Sequence, residues 1–278
     1  SESPSFTNQP DITQTVCVGD AASFTVTATG GSLNYQWYKG VTLLSDSGTI
    51  SGSSTATLAI SASALSDSAS DYTCVISNAC GFLSSNFAEL IVNERPFIFD
   101  ESIAVCSENS FSYTPINGVP TVTTIVPLGT TYSWSAPIVT GGLTGGTAQS
   151  GQLSINDILV NPTDSPQTAT YTVTPTAGSP GFCVGNSFTV TVTVNPKPVM
   201  TSGTSTSVCS GTALSFPLTS GAASTYSWLT SANANVTGET TTATVGSSLN
   251  NTLVNSLTTA TTVIYTVTPT GTAGSCVG

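Results

Sequence analysis

The sequence predicts an all-β protein built as a tandem array of three β-sandwich domains. Three observations carry that prediction: segments that alternate at period two, one order of landmarks recurring three times, and seven widely spaced cysteines. Phe188, Val190, Val192 and Val194 alternate with Thr189, Thr191 and Thr193. Phe24, Val26 and Ala28 alternate likewise with Thr25 and Thr27. Such segments present one apolar and one threonine face, which suits a half-buried strand. Thr and Val are β-branched and stiff at χ1, so they favour a pleated surface over a helix. Strands this short, separated by Gly, Ser, Asn and Pro, point to sandwiches.

The repeats set the organisation. Each opens with Val-Cys and a polar turn, at Val16-Cys17, Val105-Cys106 and Val208-Cys209. Tyr-x-Trp follows at Tyr35/Trp37, Tyr132/Trp134 and Tyr226/Trp228. Tyr-Thr then marks a later strand at Tyr72, Tyr171 and Tyr265, and a last cysteine comes at Cys80, Cys183 and Cys276. The junctions Val92-Asn93-Glu94-Arg95-Pro96 and Val194-Asn195-Pro196-Lys197-Pro198 correspond. Their prolines predict short, stiff linkers. The expected domains are residues 1–94, 95–196 and 197–278, the third lacking its last strand. We therefore expect a segment of a longer chain, or a strand supplied by another subunit.

Composition narrows function. Fourteen acidic residues stand against Lys39, Arg95 and Lys197, with no histidine and a formal charge of −11. Nucleic-acid binding needs Lys and Arg to displace counterions, so it is excluded, and the same balance argues against electrostatic docking on an anionic membrane. The longest apolar runs are too short to span a bilayer, and no signal peptide opens the chain. Export signals are therefore expected outside it. Without histidine, a Ser or Cys nucleophile lacks its usual base. No facing carboxylate pair suggests glycoside hydrolysis. No enzymatic activity and no cofactor are expected.

Without Cys-x-x-Cys or histidine, the cysteines read as disulfides rather than zinc ligands, which implies an oxidising compartment. The simplest pairs are Cys106–Cys183 and Cys209–Cys276. Aligning the repeats on Tyr-Thr gives Cys17–Cys80 and leaves Cys74 a buried free thiol, with Cys17–Cys74 as the rival. Each such loop contributes about 4 kcal/mol in the chain-entropy model. The nine landmark aromatics Tyr35, Trp37, Tyr72, Tyr132, Trp134, Tyr171, Tyr226, Trp228 and Tyr265 are read as core rather than as a glycan platform. The acids Asp67, Asp71, Glu94, Asp100 and Glu101 are weighed as a calcium site and read as solvated surface, so no metal is expected.

The first repeat, with Tyr-Gln-Trp-Tyr-Lys at 35–39 and Asp-Tyr-Thr-Cys at 71–74, resembles an immunoglobulin-like domain. It differs from antibody-type domains in having Val26 where a cysteine would face Cys74, with Cys17 placed earlier instead. In this it is similar to modules of giant Bacteroidetes surface proteins. The YTVTPT and VTVNPKP strings of the later repeats resemble the PKD-like repeats of those proteins, among them the flavobacterial gliding-motility adhesins. The resemblance implies type IX secretion, a cell-surface location, and a stalk or filament for gliding or attachment. Asp67-Ser68-Ala69 resembles the O-glycosylation signal of such proteins, with Ser68 as acceptor. Expected partners are neighbouring repeats or identical subunits, and surface glycans or a substratum. The alternatives are a filament subunit assembled by strand exchange and an accessory carbohydrate-binding module of a secreted enzyme.

Overall fold

The computed structural model describes residues 2–278. These residues are all-β, with a single 3-10 turn at Leu65–Asp67 and no α-helix. Three separate hydrophobic cores succeed one another, drawn from residues 6–92, 98–194 and 200–267.

In the first repeat, β1 (Thr13–Cys17) lies parallel to β5 (Ala88–Asn93), with Cys17 opposite Asn93. β4 (Ala69–Asn78) runs antiparallel between β5 and β3 (Asn34–Lys39). β2 (Ala22–Thr25) belongs to the facing sheet. The period-two pattern decides which side chains meet: Phe24, Trp37, Tyr72, Cys74, Ile76 and Leu90 point inward together. The second repeat repeats the plan with β6 (Glu101–Cys106), β7 (Thr131–Trp134), β8 (Gln167–Thr176) and β9 (Phe188–Asn195). β6 is parallel to β9, and Cys106 lies opposite Asn195. Val190, Val192 and Val194 of β9 are completely buried. At about 25 cal/mol per Å², each contributes roughly 2 kcal/mol.

The third repeat pairs β10 (Ser224–Thr230) with β11 (Tyr265–Gly271). β11 ends its sheet, because no described strand lies where β5 and β9 sit in the earlier repeats. Residues 203–209, which correspond to β1 and β6, form no strand for want of that neighbour. The core is smaller as a result, with Leu214, Leu218, Trp228 and Leu249 at its centre.

The landmark aromatics lie at these cores. Trp37, Trp134 and Trp228 are 0%, 5% and 4% exposed, which leaves no indole face for a sugar. Tyr72, Tyr132 and Tyr171 are buried, and Tyr35, Tyr226 and Tyr265 are half-buried against the same clusters. The Trp37 and Trp134 indole N–H groups donate to the carbonyls of Thr55 and Thr147 at 2.9 and 3.0 Å. The Trp228 indole is buried without such a partner.

Burial leads to a pH prediction. It holds the Tyr72 and Tyr132 phenols up at about 12, and raises the Cys74 thiol to about 11. In each case the folded protein binds the proton more tightly than the unfolded chain does. This stabilisation is fully present below the ordinary values near 10 for Tyr and 9 for Cys, and is lost as pH rises through 11 to 12. Alkaline titration followed by circular dichroism should show unfolding in that window.

Candidate functional site: the repeat junctions

The cysteines pair across repeats. Cys17 is bonded to Cys183 and Cys106 to Cys276, with Cα–Cα separations of 5.7 and 5.6 Å. The expected pairs Cys17–Cys80, Cys106–Cys183 and Cys209–Cys276 are therefore corrected. Strand direction explains why. Cys17 lies opposite Asn93 at the end of the first repeat that adjoins the second. β4 begins at that end, with Ala69 opposite Leu90, and carries the chain ten residues away. At about 3.3 Å per residue that is roughly 33 Å, so Cys80, after β4, is far beyond the 4.4–6.8 Å a disulfide spans. The same geometry separates Cys106, opposite Asn195, from Cys183, beyond the far end of β8. Each repeat thus carries its early cysteine at its trailing end and its late cysteine at its leading end. Head-to-tail stacking brings the early cysteine of one repeat onto the late cysteine of the next.

Polar contacts reinforce both joints. At the first, Arg95 Nε–H donates to the carbonyl of Val18 (3.0 Å) and Nη1 to that of Val184 (2.8 Å). Its Nη2 pairs with Asp20 Oδ1 at 2.6 Å. One guanidinium therefore holds the turn after Cys17 to the turn after Cys183. At the second joint, Lys197 Nζ donates to Glu108 Oε2 at 2.9 Å. These pairs are partly exposed and each contributes at most about 1 kcal/mol. They set orientation, and the disulfides hold the joint. Cys183 and Cys276 are both 1% exposed, so the late cysteine of each bridge is shielded inside its joint.

Close approach requires glycine at corresponding places. A Cβ at Gly185 would sit 2.1 Å from the carbonyl oxygen of Pro96, and one at Gly278 would sit 1.9 Å from that of Pro198. Gly185→Ala should therefore force the first joint apart at about 1–3 kcal/mol. A faster reduction of Cys17–Cys183 than of Cys106–Cys276, measured by timed alkylation, would register it.

The remaining sequence candidates do not converge. Cys74 is a buried thiol; Cys209 is an exposed free thiol after residues 203–208. Cys80 is exposed in the hairpin after β4, where its N–H donates to Asn78 Oδ1 at 2.8 Å. Ser68 Oγ accepts the Val92 N–H at 2.9 Å. Three of the acids are turned to backbone: Asp67 accepts from the N–H of Ala64, Asp100 from that of Thr189 and Glu101 from that of Ser102. No group of three potential metal ligands occurs among the described residues.

A family model described as PKD-like domain matches residues 103–198 and again 206–278, together more than half of the chain. The chain belongs to the PKD-like domain family. Residues 3–78 match the immunoglobulin domain model. Both are structural modules, and no catalytic family is indicated. Among solved structures, the I-band fragment I67-I69 from titin is 19% identical with a TM-score of 0.50, covering 100% of this chain and 98% of its own. An E-to-A mutated variant of the same three titin domains is 18% identical at 0.49, with the same coverage. These likenesses concern fold. No curated protein matches the chain. The tandem of immunoglobulin-like and PKD-like sandwiches, joined by disulfides, makes this PKD-like protein a structural repeat segment suited to an oxidising, extracellular setting.

Proposed function

We propose that the chain is a non-catalytic stalk or filament segment of a secreted bacterial surface adhesin, serving attachment or gliding, with modules at residues 1–94, 95–196 and 197–278. The observation that carries this reading is the covalent bridging of successive repeats at both joints. A flexible string of binding domains needs no such bridges, whereas a spacer that must hold its length does. The sparse charge and the threonine faces give a hydrated surface of low stickiness. The acidic excess keeps neighbouring copies apart. Adhesion itself is assigned to other parts of the protein, and export to the type IX route that the sequence resemblance implies. The test is immunogold labelling of intact cells that produce the protein. Label on extended surface projections supports the proposal. Label confined to the cell interior overturns it.

A specific observation favours strand exchange as a second reading. Residues 200–208 and 257–267 border a groove of about 870 Å³ in the third repeat, lined by Met200, Phe216, Leu218, Tyr265 and Val267. It lies beside β11, in the place that β9 fills in the second repeat. A strand patterned like Phe188–Asn195 would pair with β11 and cover the groove. A synthetic peptide of residues 186–196 should raise the thermal midpoint of the third repeat on this reading. No shift at millimolar peptide would remove it.

A further inference from the structure

The order of the bonded cysteines along the chain is 17, 106, 183, 276, and the bonds join the first to the third and the second to the fourth. The bridges therefore cross. Cys17–Cys183 makes one covalent node at the first joint, and Cys106–Cys276 makes another at the second. The segments 17–106, 106–183 and 183–276 each run from one node to the other. The chain is thus three strands in parallel between two nodes, although it is linear in sequence.

Folding places these segments so that the parallel arrangement carries load. Cys17 and Asn93 are neighbours, so residues 18–92 leave the first node and return to it. The segment then crosses the second repeat along β6. Segment 183–276 crosses the same repeat along β9, and its remaining residues return to the second node. β6 and β9 run in the same direction with six residues paired, Glu101 to Cys106 beside Val190 to Asn195. Pulling between the nodes therefore loads two adjacent parallel strands together and shears neither past the other.

We infer that the crossed bridges act as a redundant strain limiter, in which either one holds the array at nearly the extension that both allow. The inference rests on the stalk reading for its biological use but not for its physics. At about 3.4 Å per residue, the shortest segment, 106–183, limits the node-to-node span to roughly 260 Å even when every repeat is unfolded. Without Cys17–Cys183 the shortest covalent path becomes segment 17–106, roughly 300 Å. Without Cys106–Cys276 it becomes segment 183–276, roughly 315 Å. Without both, the path is the whole chain from 17 to 276, roughly 880 Å. Losing one bridge thus lengthens the limit by about one fifth, while losing the second lengthens it nearly threefold more. Bridges closed within each repeat would behave otherwise, since each would release its own loop independently.

Single-molecule stretching of the whole chain between terminal handles tests this. The oxidised protein, Cys17→Ser/Cys183→Ser, Cys106→Ser/Cys276→Ser and the quadruple variant would be pulled to full extension. Because the limit is set by covalent paths, it reads out even where a variant unfolds easily. Non-reducing peptide mapping of each variant confirms which bridge it retains. The expected increments over the oxidised protein are roughly 40 and 50 Å for the paired variants and about 600 Å for the quadruple. Increments of several hundred ångström for either paired variant that retains its other bridge would overturn the inference. So would an oxidised chain that reaches the quadruple variant's length. Neither outcome bears on where the protein sits on a cell, so failure here and failure of the stalk reading are distinguishable.

Discussion

Trp134→Ala is expected to cost about 3–5 kcal/mol and to unfold the second repeat near body temperature. The indole is 5% exposed, packs edge-on against Tyr171 at a centroid distance of 6.4 Å, and donates to the Thr147 carbonyl. Truncation removes the largest side chain of that core and leaves both a cavity and an unpaired carbonyl. A single domain has only about 5–15 kcal/mol in all, so the loss is a large share. Guanidinium unfolding followed by circular dichroism measures it. The control is Thr172→Ala, on the exposed face of β8, which should change stability by no more than about 0.5 kcal/mol. The damage should also spread. Both nodes are anchored in the second repeat, so unfolding it releases the neighbours from their shared orientation.

Reduction of both bridges is the second large effect. The bridges close sequence separations of 166 and 170 residues. The chain-entropy model gives about 5 kcal/mol for a loop of that size. The loops overlap, so their joint contribution is less than twice that. Unfolding of the reduced protein is expected at clearly lower guanidinium concentration. Its three repeats should then melt in separate steps, where the oxidised protein melts over a narrower range. Two unfolding curves, with and without reductant at one pH, read this directly. Coincident curves would mean that the bridges constrain the unfolded chain little.

Much of the fold was legible because alternation is a local signal. The Phe188–Val194 pattern marked a strand with one buried face, and β9 is that strand. The Tyr-x-Trp landmarks pointed to cores, and all three tryptophans are buried in them. The cysteine pairing was not legible on the assumption that a disulfide closes within its own repeat. Alternation says which face a residue is on, but not which end of a sandwich a strand reaches. The decisive fact is the parallel pairing of β1 with β5 and of β6 with β9, which is non-local. One signal was nonetheless present. A ten-residue strand opening near the junction must end far from it, so the cysteine after Tyr-Thr had to sit at the opposite end from the Val-Cys cysteine. The joint contacts of Arg95 and Lys197 were half visible, since two of the three basic residues lay in the linkers. Their acidic partners, Asp20 and Glu108, follow the early cysteines and become neighbours only through stacking.

Bridging between repeats is decided by how the cysteines are joined, and a proteolytic peptide map of the native protein without reductant reads this out. The predicted linked peptides contain Cys17 with Cys183 and Cys106 with Cys276, and each pair separates on reduction. Linked peptides joining Cys17 to Cys80 and Cys106 to Cys183 would contradict it, and would return the chain to a string of independently stapled domains.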